Sequence, residues 1–186
     1  MKGETKLMED KHLIERCLNG ETEVYELMVK KYQSMVIALA MSITSNIDDA
    51  KDIAQESFVR AYLKLSNFNS NLNFKSWIMR IAYNCSIDHI RKRKSFFKYF
   101  NFKVDQGLNE EVKKYKLVSD SEIFSPHMKK LKPRERAILL MRYDQNLSTN
   151  EIGEILSCSP KTVRVHIFNA RNKLKKYIED SEKKNG

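Results

Sequence analysis

The chain has 186 residues, enough for one large domain or two small ones, and carries 34 Lys and Arg against 24 Asp and Glu, a formal net charge of +10. That surplus favours a polyanionic partner, while 41% hydrophobic residues with five glycines and three prolines suit a helical globular protein rather than a disordered one. There is no run of about 18 apolar residues to span a membrane, and the charged start MKGETKLMEDKHLIERC lacks the apolar core of a secretory signal, so a cytoplasmic location is expected.

Cys17, Cys85 and Cys158 are odd in number and far apart, which predicts reduced thiols rather than disulfides. His12, His89, His127 and His166 are equally scattered, with no CxxC or HxxxH pairing, so no metal site is expected. Neither a phosphate-binding glycine loop nor a GxSxG elbow is present. The expectation is a protein that is not an enzyme, with no catalytic residue, no cofactor and no small-molecule substrate.

In chain order, apolar residues recur at helical spacing from Asp10 to about Ser45: Leu13, Ile14 and Cys17, then Val24, Leu27, Met28, Tyr32, Met35, Leu39 and Ile43. Gly20 divides this stretch into two helices. A third helix opens at Ile47-Asp48, with Asp48 as the expected N-cap and Ala50, Ile53, Ala54, Phe58, Ala61 and Leu65 as its inner side. On it, Asp49, Asp52 and Glu56 lie at i, i+3 and i+7, with Gln55 beside them and Arg60 a turn on. In a basic protein this acidic stripe suits a partner with a basic surface, or simply a solvated face with acids near a helix N-terminus.

The asparagine-rich stretch 67–73 reads as a loop, and a fourth helix follows from about Phe74 to Lys94. Its inner face is Ile78, Ile81, Cys85 and Ile90. Trp77, Arg80, Asn84, Asp88 and Arg91 share the other side, with Asn69, Asn71, Asn73 and Phe74 just upstream. Aromatic, amide and guanidinium groups on one ridge suit stacking on unpaired bases and bonding to their edges. The plainer alternative is a half-buried aromatic followed by a solvated basic helix end. Residues 95–121 have weaker periodicity and read as a linker, one alternative being that it starts as an extension of the fourth helix, and the last domain begins near Glu122 with a helix from about Pro133.

Two short helices then meet at a tight turn. Ser148 and Glu151 form a capping box, and Ile152, Ile155 and Leu156 make an inner face. Gly153 is small enough to let a second helix approach closely. Ser159 is the next N-cap, with Pro160 at the first helical position. The last helix buries Val163, Ile167, Ala170 and Leu174 and turns Lys161, Arg164, Val165, Phe168 and Arg171 outward. A helix packed on one face and basic on the other after a short turn is the arrangement of a recognition helix for a major groove. Residues 1–94 hold fifteen basic against twelve acidic side chains and 122–186 hold fourteen against eight, so most of the surplus sits with this motif. The fold class is all-α: two small helical domains, 1–94 and 122–186, joined by the linker 95–121.

Three blocks, DDAKDIAQESFVRAYLKL, FKSWIMRIAYNCSIDHIRKRK and LKPRERAILLMRYDQNLSTNEIGEIL, resemble in order those of bacterial RNA polymerase sigma factors of the extracytoplasmic-function group. The resemblance implies a two-domain initiation subunit with a region 2-like and a region 4-like domain. It implies that Asp49, Asp52, Gln55, Glu56 and Arg60 bind core polymerase. Asn69, Asn71, Asn73 and Phe74 would capture a flipped minus-ten base, and Trp77, Arg80, Asn84, Asp88 and Arg91 would line that element. Lys161, Thr162, Arg164, Val165, His166, Phe168 and Arg171 would meet the minus-thirty-five element. It further implies an anti-sigma partner, membrane-anchored in many members of that family. Lys161 stands where the family usually has glycine, and Val165 and His166 where it has serine and arginine, so the upstream DNA sequence read should differ. Two other readings stay open on the residues alone: a free-standing helix-turn-helix regulator, which leaves residues 1–94 unexplained, and an interaction protein with no DNA role.

Overall fold

The computed structural model describes residues 2–69, 73–104 and 126–185, and within them the chain is helical without a strand. Helices α1 (Lys2–Leu18), α2 (Tyr25–Thr44), α3 (Ile47–Leu63) and α4 (Phe74–Val104) form the first module. The second holds α5 (Pro126–Lys129), α6 (Pro133–Leu139), α7 (Thr149–Leu156) and α8 (Pro160–Asn185). Gly20, at φ 101°, makes the left-handed turn that frees α1 from α2.

In the first module α2, α3 and α4 pack on one another. Their interleaved stripes bury Tyr32, Val36, Leu39 and Ile43 of α2, Ala54, Phe58 and Ala61 of α3, and Ile78 and Ala82 of α4. Asp10 is buried too, but it is paired. It accepts from Lys31 Nζ at 2.7 Å and from the Tyr32 hydroxyl at 2.5 Å, which offsets the desolvation of its charge and pins α1 to α2. The N-cap of α3 is Asn46 rather than Asp48: its Oδ1 accepts from Asp49 N at 2.9 Å. Asp48 and Asp49 thus fall in the first turn, where the helix dipole favours acids. Helix α4 runs ten residues past the boundary expected at Lys94, to Val104, because 95–104 contain neither glycine nor proline to stop it. The expected start of the last domain at Glu122 lies outside the described residues.

In the second module Pro133 opens α6, and Glu135 accepts from Lys132 N at 2.9 Å. The chain then widens into a π turn over Leu140–Asp144 before α7. The Ser148–Glu151 capping box forms as expected, with bonds of 3.2 and 2.8 Å. Ser159 caps α8 by accepting from Thr162 N at 3.1 Å.

The modules share a seam. Helix α7 lies on α4 and α6 lies on α2, so one apolar core runs from Ile14 to Ile167 across both. Arg136, 7% exposed, donates from Nε to Ser42 O at 2.5 Å and from Nη2 to Ile43 O at 3.1 Å, reaching the last turn of α2. Gln145 Nε2 donates to Met35 O at 3.0 Å, and Lys75 Nζ donates to Gln145 O at 3.3 Å.

Gly153 has a specific neighbour, the turn rather than the following helix: a Cβ there would sit 2.7 Å from the Cys158 carbonyl oxygen. Gly153→Ala is therefore expected to force that turn apart and lower stability by about 1–3 kcal/mol. Urea unfolding followed by circular dichroism checks it; an unchanged midpoint would mean the turn yields freely.

Candidate nucleic-acid and partner interfaces

The α7–α8 turn is fixed by its backbone. Ser157 is left-handed (φ 53°), Cys158 N donates to Gly153 O at 2.9 Å, and the Ser159 and Thr162 hydroxyls lie 2.8 Å apart. From this start α8 buries Val163, Ile167 and Ala170 against the module, and Leu174 is half-buried. The same period exposes Lys161, Thr162, Arg164, Val165, Phe168 and Arg171. Val165 is 52% and Phe168 63% exposed, two large apolar side chains on a basic face with no packing reason to be there. His166 is half-buried, at the edge of this face rather than on it. Lys173, whose position on α8 suits a phosphate contact, instead pairs with Glu135 of α6, which holds its ammonium above the usual range.

On α4 the ridge is present and the aromatic part is built from below. Trp77 is half-buried, its ring 4.9 Å from Phe68 and 5.5 Å from Phe74, centroid to centroid. Phe74 itself is fully buried, so it forms the floor of this cluster and is not placed to meet a base directly, contrary to the expectation from sequence. Asn73 stands at the head of α4: its Oδ1 accepts from Lys75 N at 2.9 Å. Asn69 is exposed, and Asn71 lies outside the described residues. Arg80 and Asn84 are exposed beside Trp77, and Arg91 reaches Asp88 at 3.2 Å. Ile78 and Cys85 face inward as expected, whereas Ile81 and Ile90 are only partly buried. Burial pushes the Cys17 and Cys85 thiols up, in keeping with inert, reduced cysteines.

The acidic stripe on α3 divides in two. Asp52, Gln55 and Glu56 are exposed, and Glu56 pairs with Arg60 at 2.5 Å. Asp49 turns toward α4, where Arg93 Nη1 donates to it at 2.8 Å and His89 Nε2 lies 3.4 Å away. Beside the stripe runs an apolar groove between α2 and α3, lined by Tyr25, Val29, Ile37, Phe58, Val59 and Tyr62. Tyr25 donates its hydroxyl to Phe58 O at 2.7 Å, and burial raises its pKa. Val59 is 53% and Leu63 73% exposed. Sequence reasoning missed this groove, although its signal is visible: Val59, Tyr62 and Leu63 are apolar at i, i+3 and i+4 but off the inner stripe of α3. Among the described residues no His/Cys/Asp/Glu group could hold a metal ion, and no helix is long and apolar enough to cross a membrane.

A helix-turn-helix with a basic outer face, an aromatic and amide ridge on a separate helix, and an acidic and apolar docking face together define a transcription protein that grips DNA at two places while holding another protein. Family comparison agrees. Residues 28–96 match the Sigma-70 region 2 model and 128–174 match the Sigma-70, region 4 model. The chain is 31% identical over 183 residues to the ECF RNA polymerase sigma factor SigW of Bacillus subtilis, covering 91% of this chain and 97% of that one. It is 29% identical over 182 residues to the RNA polymerase sigma-H factor of Pseudomonas aeruginosa, covering 92% and 94%. The fold is also that of CnrH bound to the cytosolic domain of CnrY (TM-score 0.68, 21% identity, 92% of this chain and 97% of that one). RpoE of Bartonella quintana, solved with the anti-sigma factor NepR, is similar (TM-score 0.65, 21% identity, 83% and 96%). The chain belongs to the extracytoplasmic-function sigma factors of bacterial RNA polymerase. As such it binds core RNA polymerase, directs it to specific promoters and helps melt the minus-ten region.

Proposed function

We propose the following division of that work among the residues, carried by one observation: three chemically distinct faces stand exposed on three different helices of one fold. The first module, residues 1–94, holds core polymerase through Asp52, Gln55, Glu56 and Arg60, with the apolar groove of Tyr25, Val59 and Tyr62 alongside. Asp49 acts behind that face, setting α3 against α4. The second module, residues 122–186, reads the minus-thirty-five element, and the chain after Val104 connects the two.

Opening of the minus-ten region falls to the α4 ridge. Trp77 offers a stacking plane supported by Phe68 and Phe74. Arg80, Asn84, Asp88 and Arg91 supply edge and phosphate contacts along it, while Asn69, Asn71 and Asn73 shape the pocket for a flipped base. Extracting that base costs a few kcal/mol, which stacking and edge bonds offset. On α8 the N-terminal residues Lys161, Thr162, Arg164 and Val165 meet base edges. Phe168, His166 and Arg171 contact the groove wall and phosphates, which position without specifying. The protein works in the cytoplasm and is held in check by an anti-sigma protein; the likeness to RpoE, solved with its anti-sigma factor NepR, supports this reading.

Charge reversal tests the polymerase face. Asp52→Lys with Glu56→Lys places like charges at a complementary interface, which typically costs several kcal/mol, against little on a solvated face. Fluorescence titration with core polymerase should give a Kd raised well over tenfold in a normally folded double variant. An unchanged Kd would make α3 a solvated face.

Trp77 is the sole tryptophan of the chain, and Trp77→Ala should weaken strand opening by about 1–3 kcal/mol for the one stacked base. Normal permanganate reactivity of the melted thymines in Trp77→Ala would remove the ridge from strand opening.

Val165 has no hydrogen bond to offer and suits a thymine methyl. Val165→Arg is expected to change the upstream motif recovered in a binding selection while core affinity stays the same. Recovery of the original motif would place Val165 outside the groove.

A further inference from the structure

We propose that Asp10 and Tyr32 are positioning residues for strand opening: through Phe74 they set the plane of Trp77, so that α1 shares in holding an unpaired base. The proposal rests on the assignment of Trp77 to the minus-ten strand and extends that assignment to residues buried behind the ridge.

Four rings connect the core to the surface. Tyr32 of α2 and Phe74 of α4 are 1% and 0% exposed, and their rings lie 5.6 Å apart, centroid to centroid, tilted by 45°. Phe74 in turn lies 5.5 Å from Trp77 and 5.6 Å from Phe68, and Phe68 closes the group at 4.9 Å from Trp77. Aromatic pairs at such distances hold preferred tilted and edge-on geometries, and in a close-packed interior one ring cannot turn without moving the next. The indole of Trp77 therefore has its angle set from beneath by Phe74, and the place of Phe74 is set by Tyr32.

Tyr32 itself is held by a polar group from another helix. Its hydroxyl donates to Asp10 Oδ2 at 2.5 Å, while Asp10 Oδ1 accepts from Lys31 Nζ at 2.7 Å. The Lys31 ammonium also lies 5.7 Å from the centre of the Tyr32 ring. Asp10 is 3% exposed, so α1 brings a carboxylate into the core for this contact. Filling the space needs no such group, because a buried ion pair adds little net stability over apolar side chains of the same volume. What the hydroxyl bond adds is direction. It fixes the ring at its far end, where a phenylalanine could slide along its own plane, and a satisfied polar network of this kind limits a core to one arrangement. That matters at the surface, since a stacking plane that had to be ordered during binding would give back part of what the base gains.

Full-length Tyr32→Phe and Asp10→Leu proteins, both checked for folding by circular dichroism, test the pair, with the sole tryptophan as reporter. In the free proteins the acrylamide quenching constant of Trp77 should rise in both. Open-complex formation by the holoenzyme, followed by permanganate reactivity of the melted thymines, should fall several-fold. Affinity for core polymerase, and affinity of the holoenzyme for a duplex carrying only the minus-thirty-five element, should stay at wild-type values, a split that a general loss of stability would not give. Asp10→Asn keeps an acceptor for the hydroxyl and should restore both the quenching and the opening. The double variant should be no worse than either single one, because the two residues act as a unit. Wild-type opening or wild-type quenching in both folded variants overturns the proposal, as does a loss shared equally by core and upstream binding. If Asp10→Leu does not fold, Tyr32→Phe, which keeps the ring, decides alone. Normal opening in Trp77→Ala would instead strike the assignment of Trp77 to the strand, while the quenching would still show whether Asp10 and Tyr32 set its plane.

Discussion

Helix α4 must satisfy three surroundings within one 3.6-residue period, and the rest of the structure is arranged around that demand. One side carries Ile78, Ala82 and Cys85 into the packing with α2 and α3. A second meets α7 of the other module, and Tyr83 and Cys158 both pack against the shared core. Only the third, with Arg80, Asn84 and Arg91, is left to water. Because both packed sides fix the rotation of the helix, the exposed side is aimed without any loop having to hold it. Presentation on a rigid element is what a site for unpaired bases needs, since a mobile ridge would lose in ordering entropy what it gains by stacking.

Much of this was legible in the sequence, and what was not has a physical cause. Periodicity placed α2, α3, α4 and α8 and their inner faces, because burial of Val163, Ile167 and Ala170 or of Ala54, Phe58 and Ala61 leaves a strict spacing behind. The capping residues Ser148 and Ser159 were equally readable, since their chemistry is local. Long-range choices were not. Phe74 was grouped with polar neighbours in the loop, but the core takes it, and Asp49 leaves the acidic stripe because Arg93 and His89, forty residues on, draw it inward. Arg136 is one basic residue among many in the sequence, and nothing near it there says that its partners are the carbonyls of Ser42 and Ile43.

The docking face on α3 combines a polar stripe with an apolar groove, and the two contribute different things. Exposed acids such as Asp52 steer and orient a basic partner but add little energy while solvated. The groove of Tyr25, Val59 and Tyr62 supplies area whose removal from water gives a non-directional gain. On the proposed polymerase face the two would select the partner by charge and retain it by burial. The same logic recurs on α8, where Val165 and Phe168 stand among Lys161, Arg164 and Arg171.

The Asp49–Arg93 contact joins the first turn of α3 to the point where α4 leaves the body of the module. Just past it Lys94 and Ser95 are exposed. The pair thus ties α3 to α4 between the exposed acids of α3 and the exposed side of α4 that carries Arg80, Asn84 and Arg91. A partner that presses on α3 therefore presses on the frame that sets the rotation of α4, so the two surfaces share one register.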